Sequence, residues 1–91
     1  MLQRSIVITS EHGLHARPAA EFVKAAETYP CSIHIARPGQ DWVNGKSVLG
    51  ILTLAAERGQ PLIIRIDAPG NPALEEQAFA TLSAILQNDR P

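Results

Sequence analysis

Cysteine is nearly absent from this chain. Its 91 residues hold one, Cys31, so no internal disulfide can form. No CxxC or Cys/His spacing points to zinc, and no metal or organic cofactor is expected. Cys31 sits just before an apolar alternation, which predicts a small buried thiol. Net charge is equally scarce. Eight Lys and Arg stand against nine Asp and Glu, leaving −1. Bulk electrostatics therefore argues against nucleic acid or an anionic membrane as partner, and any charged partner must be met by a local patch. Long hydrophobic runs are missing too. The N-terminus lacks the apolar core of a signal peptide, and no segment is long enough to span a bilayer. The expectation is a cytoplasmic protein with no membrane insertion. No internal repeat or low-complexity segment interrupts it.

What is present fits a folded domain: 45% hydrophobic and 19% charged residues, a balance that argues against disorder. The length suits one small domain, residues 1–91, with one modest core. Leu2 to Thr9 reads as a strand, with Ile6 and Ile8 on one face and Ser5, Val7 and Thr9 on the other. Ser10 to Gly13 is turn-like. Ala16 to Thr28 has helical periodicity, placing Ala19, Val23 and Ala26 on one face beside Phe22, with Glu21, Lys24 and Glu27 outward. Pro30 stops this helix. Cys31 to Arg37 alternates, Ile33 and Ile35 opposite His34, which is expected to be solvated. "RPGQ" is a turn. "QDWV" reads as a short strand completing a hairpin, with Trp42 packed at the sheet edge. Ser47 is a good N-cap for a helix over "SVLGILTLAAE", which "RG" ends. "PLIIRID" is the last strand, Leu62, Ile64 and Ile66 inward, Arg65 and Asp67 outward. Asn71 caps a final helix, with Pro72 in its first turn and Glu75 and Glu76 complementing its dipole. Leu74, Ala78, Leu82 and Ile85 form its core stripe. The order is βαββαβα. Strands with one apolar and one polar face predict an antiparallel sheet covered on one side only, a two-layer α/β sandwich.

The chemistry concentrates in "GLHARPAA", residues 13–20. His15 falls at or just before the first helical residue. A helix N-terminus offers N–H groups without intrahelical partners and a partial positive charge, and so holds anions. Pro18 suits the first turn, and Arg17 adds a permanent cation able to grip phosphate oxygens bidentately. Both the dipole and Arg17 disfavour imidazolium, which lowers the pKa expected for His15 and keeps its lone pair available for attack on phosphorus. From these residues alone two readings stand. His15 is a phosphoryl acceptor, or it is a solvated or capping histidine at a helix start.

The octet resembles the active-site signature of the HPr phosphocarriers of the bacterial phosphoenolpyruvate-dependent sugar phosphotransferase system (PTS). "NGKSVLGILTL" resembles that family's second block, and the order of strands and helices matches along nearly the whole chain. The resemblance implies an α+β open-faced sandwich, its four-stranded antiparallel sheet ordered 1-4-2-3 with three helices on one face. It implies that His15 is phosphorylated on Nδ1 by enzyme I, itself charged by phosphoenolpyruvate. The phosphoryl group then passes to EIIA proteins or domains for sugar uptake. Arg17 would assist, together with the backbone N–H groups of Ala16 and Arg17. The protein would be a phosphohistidine intermediate rather than a turnover enzyme, and a monomer.

Ser47 has two readings: an N-cap worth about 1 kcal/mol, and, from the resemblance, a regulatory site for HPr kinase/phosphorylase. The helix after it is too apolar for one core stripe. Either part of it is exposed for docking, with Val48, Leu49 and Leu52 as the candidates the resemblance implies, since they match the family's docking positions, or it is buried more deeply under a loop. Lys24 and Lys46 would supply a basic rim for acidic partners, or are simply solvated. Glu11 and His12 depart from the family pattern, which often has a small polar residue at position 12. His12 is then solvated or a second titrating group beside His15. Other functional readings are a nitrogen-type PTS paralogue, a domain of a larger phosphotransfer protein, and a regulatory domain binding an anionic metabolite without covalent change.

Overall fold

The strands carry an apolar residue at alternate positions, and the computed structural model shows what that alternation builds. It describes residues 1–9 and 16–87. The elements follow the expected order: β1 (Leu2–Val7), α1 (Ala16–Ala26), β2 (Ser32–Ala36), β3 (Val43–Asn44), α2 (Val48–Leu52), β4 (Pro61–Asp67) and α3 (Pro72–Leu86). The strands form one antiparallel sheet in the order β1-β4-β2-β3.

Register decides which face is apolar. Ile66 stands between Leu2 and Ile33, Ile64 opposite Ile35, and Leu62 opposite Ile6. Side chains alternate between faces, so these seven residues gather on one side, and all are buried. The helices cover that side. α1 contributes Ala19, Phe22, Val23 and Ala26, α2 contributes Ile51, and α3 contributes Ala78, Leu82 and Leu86. The shortest molecular dimension is 20 Å, the thickness of one helix layer on one sheet at roughly 10 Å each. The opposite face carries Gln3, Ser5, His34, Arg65 and Asp67. There the Arg65 guanidinium lies over the Trp42 ring, 4.1 Å from its centroid, so Trp42 does pack at the sheet edge. His34 is half-buried between Arg65 and Asn44 rather than solvated.

Several elements are shorter than their sequence pattern. β1 ends at Val7, although the Ile8 N–H still reaches Gln60 O at 3.0 Å. α1 ends at Ala26, and single turns then carry the chain to Pro30, with Thr28 N on Ala25 O and Tyr29 N on Ala26 O. The second hairpin strand is Val43–Asn44 rather than "QDWV". The largest departure is α2, five residues where "SVLGILTLAAE" suggested eleven. Leu54 and Ala56 are both buried, yet residues two apart point to opposite sides of a helix. Burying both requires the chain to unwind. It does so through i→i+3 bonds, Leu54 N on Ile51 O and Ala55 N on Leu52 O, ending with Ala55 at φ +50°. In α3 the fully buried residue of the last turn is Leu86, not Ile85. Four-residue spacing from Ala78 through Leu82 points Leu86 into the core and leaves Ile85 and Leu74 half-buried at its margin.

Candidate functional site

α1 is the element on which the expected site rests, and it begins at Ala16 as the sequence indicated. Ala19 is fully buried and fastens the first turn to the core, while Ala16 and Arg17 remain exposed. The first N–H groups of a helix have no intrahelical partner, and Pro18 has none to offer, so Ala16 and Arg17 supply the donors at this end. No acidic side chain lies in the first turn. A carboxylate there would neutralise the positive end of the dipole, and the first turn of α1 itself supplies none. The Arg17 side chain is 87% exposed, its Nε 3.5 Å from Glu21 Oε1 one turn on. Exposed pairs of this kind hold weakly, so the guanidinium can exchange Glu21 for phosphate oxygens. His15 lies outside the described residues, as do Glu11 and His12.

α2 packs against α1 and presents the second block. Ser47 is its N-cap, its Oγ accepting the Gly50 N–H at 3.1 Å. Val48 is 37% and Leu49 75% exposed. Leu52, the third docking candidate, instead packs half-buried against the core. The surplus of apolar residues is thus divided, with Ile51, Leu54 and Ala56 inside and a small exposed pair outside.

The two lysines both lie at the C-terminal end of α1 but differ in burial and partners. Lys24 is exposed in the last turn of α1, about 12 Å along the helix axis from Ala16 at 1.5 Å per residue. Lys46 is half-buried, and its Nζ donates to Tyr29 O at 2.9 Å. A cation just past the C-terminal end of α1 meets its negative dipole end, so Lys46 clamps α1 to the start of α2. Sequence reasoning missed this because its acceptor is a backbone carbonyl. It also missed the acid-free first turn of α1, which was readable in "ARPA".

Cys31 is buried as expected. Burial pushes its thiol pKa up, and Lys46 only partly offsets this. Among the described residues, no three potential metal ligands cluster, and no helix is long and apolar enough to cross a membrane.

Comparison with known proteins decides the family. The family model described as "PTS HPr component phosphorylation site" matches residues 2–88. The chain belongs to the HPr family. The phosphocarrier protein HPr of Buchnera aphidicola subsp. Acyrthosiphon pisum is 41% identical over 86 residues, covering 94% of this chain and 95% of its own. The crystal structure of HPr from Bacillus anthracis superposes with a TM-score of 0.83 at 34% identity, over 94% of this chain and 96% of that one. An HPr dimer from Thermoanaerobacter tengcongensis matches with a TM-score of 0.57 at 35% identity, over 90% of this chain and 88% of that one. As an HPr-family member the chain is a phosphocarrier of the phosphotransferase system, and its open-faced sandwich with sheet order 1-4-2-3 is the HPr fold.

Proposed function

We propose that this chain accepts a phosphoryl group on His15 from phosphorylated enzyme I and delivers it to EIIA components for sugar uptake. The observation that carries the reading is the junction inside "GLHARPAA": His15 stands immediately before a helix whose first turn holds no acid and an exposed arginine tied only by a weak surface pair to Glu21. A neutral imidazole nitrogen attacks phosphorus and displaces the histidine of the donor. The negative charge on the transferred group is met by the Ala16 and Arg17 N–H groups and by the Arg17 guanidinium. The P–N bond formed stays reactive, so the group moves on to the next histidine, and the protein acts as a stoichiometric covalent intermediate.

Docking falls to α2 and the exposed end of α1. Val48 and Leu49 form the apolar contact, with Leu52 behind them, and Lys24 meets acidic side chains on enzyme I or EIIA. Lys46 contributes through the protons not donated to Tyr29. Phosphorylation of Ser47 by an HPr kinase/phosphorylase would put a dianion on the N-cap of α2, within the docking surface, where it repels an acidic partner. The "GKS" run before α2 favours the sugar branch over the nitrogen branch.

Incubation with enzyme I and phosphoenolpyruvate tests the proposal. Intact-mass measurement should show an acid-labile gain of one phosphoryl group, absent in His15→Ala and slower to form in Arg17→Ala. No gain, under conditions that label a known HPr, would sink the covalent reading and leave reversible anion binding.

A further inference from the structure

We propose that the cleft between the β2–β3 turn and the end of α2 binds a free α-amino acid as its zwitterion, the carboxylate on Arg37 and the ammonium at Asp41. The cleft measures about 240 Å³ and is lined by Arg37, Asp41, Val43, Thr53, Leu54 and Ala55. It takes no part in the phosphoryl chemistry assigned to His15.

Three observations carry the assignment. First, Arg37 is half-buried with donors to spare. Its Nη1 makes a long bond of 3.3 Å to Leu54 O, its one side-chain hydrogen bond among the described residues. A guanidinium has five N–H groups in a planar fork, a shape that matches a carboxylate. Second, Asp41 lines the same cleft, yet the two opposite charges do not neutralise each other. The ion pairs among the described residues involve Met1, Arg4 and Arg17, and none joins Arg37 to Asp41. A dianion here would be repelled by Asp41 and a simple cation by Arg37, whereas a molecule bearing one charge of each sign satisfies both. Third, both walls are fixed by backbone. Arg37 and Asp41 flank a tight turn closed by Gln40 N on Arg37 O at 2.9 Å, with Gly39 at φ +79°. Across from it, Thr53 Oγ1 donates to Gly50 O at 2.5 Å. Ala55 is held in the left-handed region at φ +50°, a conformation unfavourable for a residue with a Cβ.

Val43 and Leu54 give the cleft an apolar wall for a ligand side chain. Its volume is below the range of about 300–1,000 Å³ typical of drug-sized sites, which suits an amino acid rather than a nucleotide.

The test is a 1H–15N titration of the full chain with L-alanine, L-leucine and L-glutamine, each also as its N-acetyl and its amide derivative. At least one free amino acid should give saturable shifts at Arg37, Asp41 and Thr53 to Ala55. Its two derivatives, each lacking one charge, should bind at least tenfold more weakly. Arg37→Gln should abolish binding, and Asp41→Asn should erase the preference for the free over the N-acetylated form. The proposal is overturned if none of the three free amino acids shows saturable shifts, or if both derivatives bind as well as their parent. Should Arg37→Gln fail to fold, the derivative series on the unmodified protein decides alone.

Discussion

A methyl group added at Gly45 would stand 2.6 Å from Ile33 Cγ2 and 3.1 Å from the Ile33 carbonyl oxygen, the same oxygen that accepts the Gly45 N–H at 2.8 Å. The second contact is to backbone, which cannot swing aside. Gly45→Ala is therefore expected to lower stability by about 1–3 kcal/mol, read as a reduced urea midpoint with an unchanged slope. In sequence this glycine looked like part of a turn before a capping serine, because a long-range approach leaves no local signature. Glu75 and Glu76 show the same limit. Both were readable as acids near the start of a helix, but nothing local separates their fates. Glu76 pairs with exposed Arg4. Glu75 is buried, accepting the Ala68 N–H at 2.8 Å and lying 3.2 Å from the N-terminal ammonium. The Ala68 bond chiefly holds its pKa below the ordinary 4.5, against the desolvation that raises it, and the ammonium helps. A depressed folded-state pKa means stabilisation that is present above the ordinary value and lost as pH falls through the folded one. Glu75→Gln should melt at a lower temperature at neutral pH, and the gap to the unmodified protein should close on acidification. A gap that stays constant with pH would show that the charge is irrelevant.

At the level of elements, periodicity located every strand and helix but overran most of their ends. The exception is instructive. The start of α1 at Ala16 was legible, because a proline suited to a first turn and the beginning of an apolar stripe mark the same point. The end of α2 was not, because the apolar run continues after the helix stops, and only the core shows that Leu54 and Ala56 must both turn inward. The same element carries a sharp prediction. Leu49 is exposed, so Leu49→Glu should leave the stability within about 0.5 kcal/mol of the unmodified protein's. It should nevertheless weaken enzyme I binding at least tenfold in calorimetry. Unchanged affinity would remove α2 from the docking surface.

For the whole molecule, the alternating faces predicted a one-sided sheet from physics alone, whereas the strand order 1-4-2-3 came only with the family resemblance, since periodicity does not say which strands are neighbours. That order leaves β1 as an edge strand, an open template for another chain. Its inward-facing side is interrupted by Arg4, which reaches Glu76 by two hydrogen bonds and lies 5.3 Å from the centre of the Phe79 ring. An inward-pointing charge on an edge strand discourages pairing with a second copy. Sedimentation should find the unmodified chain monomeric at 9.8 kDa and Arg4→Val shifted toward dimer as concentration rises. The reverse result would assign the edge no protective role.

Cys31 has a practical consequence. Its sulfur is buried and its thiolate disfavoured, so the natural thiol should be slow toward maleimides. A cysteine introduced at Ser5, on the uncovered side of the sheet, would then be the sole fast handle. A fluorophore placed there sits on the side away from α1 and α2, and so leaves the proposed docking surface unobstructed.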